Sequence, residues 1–198
     1  MKVHVKIHDF LDSDFRNDSG EIIRRDKLLR LKDEKYGTGQ LTSNNLPAVD
    51  WIGNKSKYAD ENGFDTRTKD SIIKIVLPKD TIIIRYGLQT GRYTAPDGTD
   101  FENLSLPFTR ESSPFFIYRV IKKDLDVYVE EKKDIKSGKS KSAVNCSVTK
   151  GLIAPYFDSE GGGIQYLHTK PIFKLLSECV IERIPYERYI AQKRKICK

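Results

Sequence analysis

Long apolar runs are missing from this sequence. No stretch approaches the roughly 18–20 apolar residues that a membrane-spanning helix needs, so no membrane span is expected. The start, Met1-Lys2-Val3-His4-Val5-Lys6-Ile7-His8, alternates charged and apolar types, which no signal-peptide core does. Cysteine is scarce: Cys146, Cys179 and Cys197 are odd in number and unevenly spaced. They suit neither a disulfide framework nor a zinc site, and a reducing working compartment is the modest inference. Histidine is equally scarce, with His4, His8 and His168, so a Ser-His-Asp arrangement has only His168 to build on. There is no Walker loop, Gly-x-Ser-x-Gly, His-Glu-x-x-His or Cys-x-x-Cys, which removes the common phosphate-loop, hydrolase and zinc signatures.

What is present is a foldable, basic chain. Apolar residues make up 38% of the 198 positions and aromatics 10%, enough for a packed core and unlike a disordered chain. Lys and Arg number 35 against 28 Asp and Glu, a net charge of +7. That balance suits a negatively charged partner, whether nucleic acid, an anionic membrane face, a phosphorylated small molecule or an acidic protein, and does not choose among them.

Periodicity predicts the elements. Val3, Val5 and Ile7 alternate with Lys2, His4, Lys6 and His8, a half-buried strand whose histidines face water rather than a metal. Glu21–Lys35 reads as an amphipathic helix, and residues 36–70, which hold Trp51, as loop with a little structure. From residue 71 β-branched runs dominate. Ile72–Leu77 and Thr81–Arg85 are strands around a Pro78-Lys79-Asp80 turn, followed by Phe115–Lys122 and Asp124–Glu130. Residues 131–150 are rich in Lys and Ser and read as a long basic insertion. Gly151–Phe157 and Ile164–His168 are short strands, Pro171–Cys179 a helix, Val180–Ile184 a final strand and Tyr186–Ile196 a basic helical tail. The expected architecture is α+β: a compact, mostly-β core with a twisted antiparallel or mixed sheet and a few peripheral helices. It divides into an N-terminal extension, residues 1–70, and a domain over 71–198.

Three segments could carry chemistry. Arg85-Tyr86-Gly87, followed by Gly91–Thr99, places a guanidinium at a strand end, where its planar fork can meet phosphate oxygens while a ring stacks on a base. A surface arginine before a hairpin gives the same pattern. In Phe116–Val120, alternation puts Phe116, Tyr118 and Val120 on one face and Arg119 on the other, the pattern of a core strand with an outward arginine. In Gly151–Phe157 and Gly161–Tyr166, three successive glycines allow positive φ and close backbone approach to a ligand, and Gln165 heads the next strand. A tight hairpin needs fewer glycines.

Taken in order, these segments resemble the NAD⁺ glycohydrolase domain of the tuberculosis necrotizing toxin family. The pieces are Arg85–Gly87, Gly91–Thr99, Phe101–Pro107, Tyr118–Val120, Gly151–Phe157 and Gly161–Tyr166, with Val180–Ile184 similar to the closing segment. The match spans about residues 80–184. The resemblance implies functional roles for Arg85, Tyr93 and Gln165. It also implies a second arginine just before Ser105-Leu106-Pro107, where this chain has Leu104. Arg110 or Arg119 is expected to supply that charge, and Tyr86, Gly161 and Gly163 to border the substrate.

The implied function is a toxin domain that hydrolyses NAD⁺, or NADP⁺, to ADP-ribose and nicotinamide. NAD⁺ is then the substrate, and neither a resident cofactor nor a metal is expected. Sugar hydrolases use two carboxylates, one of them to protonate the leaving group. Nicotinamide leaves a pyridinium as a neutral molecule, so the absence of paired carboxylates is tolerable. An ADP-ribosyltransferase is the alternative within the same chemistry; it calls for a catalytic glutamate, and only Glu160 adjoins the glycines. A nucleic-acid-binding or nuclease toxin, supported by the basic insertion and Lys193-Arg194-Lys195, and a non-catalytic interaction domain are the other classes. Under the resemblance no nucleic acid is expected. The domain would be the toxic part of a larger secreted bacterial protein, act in the target cell's cytoplasm, and be opposed in its producer by an immunity protein with an acidic face.

Overall fold

β-branched runs decide the architecture. The computed structural model describes residues 15–42, 45–49, 63–121 and 146–196. The expected strands at Val3–Ile7 and Asp124–Glu130, Trp51 and the insertion up to residue 145 lie outside these. Among the described residues, nine strands and two α-helices form: β1 (Gly37–Leu41), β2 (Pro47–Val49), β3 (Ile73–Val76), β4 (Ile82–Tyr86), β5 (Tyr93–Pro96), β6 (Phe115–Val120), β7 (Ser147–Leu152), β8 (Ile164–His168), α1 (Ile172–Ser177), β9 (Ile181–Ile184) and α2 (Tyr186–Ile196). β1 and β2 pair as a hairpin, and the other seven make one sheet in the order β3-β7-β8-β5-β4-β6-β9. Every pairing in it is antiparallel. The fold is α+β with a mostly-β core.

Successive strand residues point to opposite faces, so Ile83 and Ile84 of β4 can both be buried only if both faces are covered. They are. Ile83 joins Tyr118, Val120, Val148, Tyr166, Ile172, Leu175 and Val180 in one cluster, with α1 as its lid. Ile84 joins Tyr86, Ala95, Phe101, Phe115, Ile117 and Ile184 in a second cluster, flanked by Leu104, Leu106 and the α2 tyrosines Tyr186 and Tyr189. Each buried side chain of this size contributes about 1.5–3 kcal/mol, and the two faces together fix the sheet.

β5 changes partner midway. Ala95 and Pro96 pair with Ile84 and Ile83 of β4, while Tyr93 and Thr94 pair with Leu167 and Tyr166 of β8. The ladder between β4 and β5 therefore stops at Ile84, and beside Arg85 the two strands separate.

The sequence predicts a helix over Glu21–Lys35, and the structure corrects this. The segment is extended, with 3₁₀ turns only at Arg25–Lys27 and Glu34–Tyr36. Its backbone groups are satisfied by the 107–112 segment: Leu29 N–H donates to Ser112 O (2.8 Å), Lys32 N–H to Pro107 O (2.8 Å), and Thr109 N–H to Arg30 O (2.9 Å). Its apolar residues Ile23, Leu28 and Leu29 cluster with Leu46, Leu88 and Phe108. Tertiary pairing thus replaces the helical ladder that the apolar spacing suggests. A second correction is smaller. Residues 147–150, expected at the end of the insertion, open β7, and Tyr93–Pro96, not assigned to any strand from the sequence, forms one.

Candidate functional site

The separation of β4 and β5 opens into a cavity of about 490 Å³. This lies within the roughly 300–1,000 Å³ usual for small-molecule sites. Arg85, Tyr86 and Tyr93 line it together with Gln165, which is distant from them in sequence. Apolar residues from other segments complete the wall: Leu29 and Leu46, Leu104, Leu106 and Phe108, and Ile153.

Arg85 reaches the cavity from the end of β4. Its Nε donates to Leu88 O at 2.8 Å and its Nη1 to Tyr93 O, so two carbonyls fix the plane of the fork. Among the described residues no carboxylate pairs with it. Burial pulls its pKa down to about 10, with the neighbouring Tyr118 and Tyr93 acting in the opposite sense. The group remains a cation at neutral pH, without a counter-ion among the described residues, at the edge of an apolar cavity. Such a charge is costly unless an anion offsets it. Gly91 makes room for the fork: a Cβ there would collide with Nη2 and lie 2.7 Å from Cζ.

Tyr93 follows at the head of β5. Its ring is partly exposed, and desolvation raises its phenol pKa. Gln165, on β8, is buried and opposite Gly151 of β7. Behind them, Thr94 Oγ1 and His168 Nε2 are 2.8 Å apart in the core, with Cys146 Sγ 4.0 Å from His168 Nδ1. Burial, and then the charge of Arg85, lower the His168 pKa to about 3, so the ring is neutral. Burial pushes the Cys146 thiol up to about 12. The Thr94–His168 contact joins β5 to β8, and Cys146 lies beside it just ahead of β7. Tyr86 lines the cavity with its ring, packed 4.9 Å from both Phe101 and Phe115, while its hydroxyl donates to Asp18 (2.8 Å).

The remaining expected residues are not brought to the cavity. Arg119 binds Glu182 across β6 and β9 through Nε (2.6 Å) and Nη2. Arg110 binds Asp18 at 2.7 Å and approaches Asp100 at 3.5 Å. Both are paired with carboxylates and neither is in the cavity lining, so the structure does not bring them to the place where the resemblance implies an arginine, at Leu104. Leu104 itself does line the cavity and leaves that wall apolar. Gly161 and Gly163 make their close approach to the protein's own backbone rather than to the cavity. A Cβ at Gly161 would lie 2.7 Å from Ile153 O, and one at Gly163 2.7 Å from Asn103 O. The bend thus fixes where β8, and with it Gln165, begins.

Sequence reasoning missed the wall. Leu29, Thr42 and Leu46 come from the N-terminal segment, where no local pattern distinguishes them from ordinary core residues. Among the described residues no group of three or more His, Cys, Asp or Glu could hold a metal ion.

The family model described as Tuberculosis necrotizing toxin matches residues 76–184, which contain Arg85, Tyr93 and Gln165. The chain belongs to the tuberculosis necrotizing toxin family. Among solved structures it is similar to the tuberculosis necrotizing toxin complexed with its immunity factor IFT, at 13% identity and a TM-score of 0.49, over 85% of this chain and 75% of that one. It is also similar to Tse6 in complex with Tsi6, at 16% identity and a TM-score of 0.38, over 63% of this chain and 77% of that one. No curated protein matches it. Within this toxin-family chain, the matched segment holds β4 to β9, and the N-terminal cavity wall lies outside it.

Proposed function

We propose that this toxin-family domain hydrolyses NAD⁺ in the cavity beside Arg85. The observation that carries the reading is the convergence of an arginine fork without a carboxylate partner, an aromatic ring and a buried amide on one cavity. In the reaction, water adds to the anomeric carbon of the nicotinamide ribose as its bond to the ring nitrogen breaks. Neutral nicotinamide leaves, and ADP-ribose and one proton are the other products. Arg85 holds the pyrophosphate, its fork pre-oriented by the Leu88 and Tyr93 carbonyls. Tyr93 stacks on a flat ring of the substrate. Gln165 hydrogen-bonds the nicotinamide ribose or directs the water, and Tyr86 backs the wall.

The cavity lining holds no carboxylate among the described residues. This supports hydrolysis with a neutral leaving group over transfer to a protein, for which a catalytic glutamate is called for. Glu160 is exposed and outside the lining. By the same family reading, the domain acts on the NAD⁺ or NADP⁺ of a target cell after delivery within a larger toxin, and its producer carries a cognate immunity protein. No resident cofactor enters this scheme.

The experiment is direct. Purified protein incubated with NAD⁺ is expected to release nicotinamide and free ADP-ribose in equal amounts. ADP-ribose recovered attached to a protein would replace hydrolysis by transfer. Intact NAD⁺ after prolonged incubation would remove both.

A further inference from the structure

We propose that Leu29 and Leu46, from the N-terminal stretches 28–42 and 45–46, form the adenosine-binding wall of this cavity and recognise the ring. The inference rests on the NAD⁺ reading above and adds a specificity site outside the family-matched residues.

The cavity lining draws on separate side-chain clusters. Leu29, Leu46, Leu88 and Phe108 belong to one apolar cluster, which does not include Gln165 or Ile153. The Arg85 guanidinium is hydrogen-bonded toward this cluster on one side and toward the β8 side on the other. Its Nε is bonded to the carbonyl of Leu88, a member of the apolar cluster, and its Nη1 to the carbonyl of Tyr93, on the strand paired with β8. The order is therefore apolar wall, guanidinium, amide. A dinucleotide presents the matching order: an adenosine, a pyrophosphate and a nicotinamide riboside. With Gln165 at the riboside, the flat adenine falls on the leucine wall, where apolar contact and not charge holds it.

The segment is held as part of the site. Upstream of it, Asp18 accepts from Tyr86 Oη (2.8 Å) and Arg110 Nε (2.7 Å), and its carbonyl accepts from Tyr186 Oη (3.0 Å). Leu29 has φ 54 and gives its N–H to Ser112, which turns its side chain into the cluster. Leu46 sits at the tip of the β1–β2 hairpin, where Thr42 N–H donates to Leu46 O (2.8 Å) and Leu46 N–H donates to Thr42 Oγ1 (3.2 Å). Further along, Lys32 Nζ donates to Ser159 Oγ (2.8 Å), and Tyr36 Oη to Asp158. Those contacts fasten the segment to the loop that precedes Gln165.

The test compares NAD⁺ with nicotinamide mononucleotide, which lacks the adenosine half. Leu46→Ser opens the wall, and Leu46→Trp fills it. In both variants kcat/KM for NAD⁺, divided by kcat/KM for the mononucleotide, is expected to fall at least about tenfold from wild type, the scale of one lost or blocked apolar contact surface. Ile22→Ser, upstream of the segment, exposed and outside the cavity, is expected to keep the wild-type ratio. A ratio within about twofold of wild type in both Leu46 variants, or an equal fall in Ile22→Ser, overturns the proposal. A wild-type protein that cleaves neither substrate removes the hydrolase reading instead. AMP binding by titration calorimetry then decides the wall without turnover: affinity weakened about tenfold or more in Leu46→Ser sustains it, and no AMP binding to wild type ends it.

Discussion

Arg85 and Arg119 stand on adjacent antiparallel strands, and their surroundings give them opposite fates. At the β6–β9 edge, Arg119 lies directly opposite Glu182 and forms a closed pair with it. At the other end of β4, the ladder to β5 has parted, no carboxylate is opposite, and Arg85 is held by two carbonyls that leave its charge uncompensated. The same residue type is closed in an ion pair in one place and, among the described residues, left without a carboxylate in the other. What differs is the cross-strand neighbour, a property of register and not of the local sequence.

Several substitutions sharpen that contrast. The largest effect belongs to the cavity side: Gln165→Ala is expected to lower kcat by about 10²–10³, the scale for losing one preorganised polar group. A variant keeping more than half of wild-type turnover would remove Gln165 from the chemistry. Arg85→Lys preserves charge but not the fork, and a loss of about ten- to a hundredfold in kcat/KM is expected, matching a charged hydrogen bond of about 1.5–3 kcal/mol. Unchanged kinetics would show that any cation suffices.

His168, in the core behind Arg85, gives a pH test. Its folded pKa is about 3, below the unfolded value of about 6.5. The unfolded state therefore binds the proton more readily. The resulting stability is fully present above about pH 6.5 and is lost as pH falls from there toward 3. Wild-type Tm is expected to drop through that window more steeply than that of a His168→Gln variant; parallel profiles would show that carboxylates alone set the acid limit. The smallest effect belongs to the edge. Arg119→Ala is expected to leave kcat/KM within about twofold and to change stability by no more than about 1 kcal/mol, because its ion pair is solvent-accessible. A tenfold loss of activity there would erase the distinction between the two arginines.

The sheet was legible in the sequence because β-branched runs and alternation are local. Ile82-Ile83-Ile84, Phe115–Val120 and Ile164–His168 announce their strands, and Ile172 and Leu175 their helix. Glu21–Lys35 misled because a spacing that suits a helix also suits an extended strap whose leucines are buried one at a time against Phe108 and Leu88. Tyr93–Pro96 hid its strand behind Pro96 and Gly98, ordinary turn signals. Of the candidate site, Arg85, Tyr86, Tyr93 and Gln165 converge on the cavity. Arg110 and Arg119 could not be sorted from Arg85 without knowing which carboxylate would face each. The leucine wall was invisible for a similar reason: Leu29, Leu46, Leu104 and Leu106 meet only after three separate segments have folded.

One methyl group has practical weight. Because the room for the Arg85 fork exists only where residue 91 has no side chain, Gly91→Ala pushes the flexible end of the arginine aside and leaves the backbone able to keep its course. On the proposed role of Arg85, such a protein is expected to fold, keep its outer surface and hold the substrate pyrophosphate less well. It offers a disarmed form of the domain that a susceptible host can produce in quantity, without altering any group assigned to the chemistry.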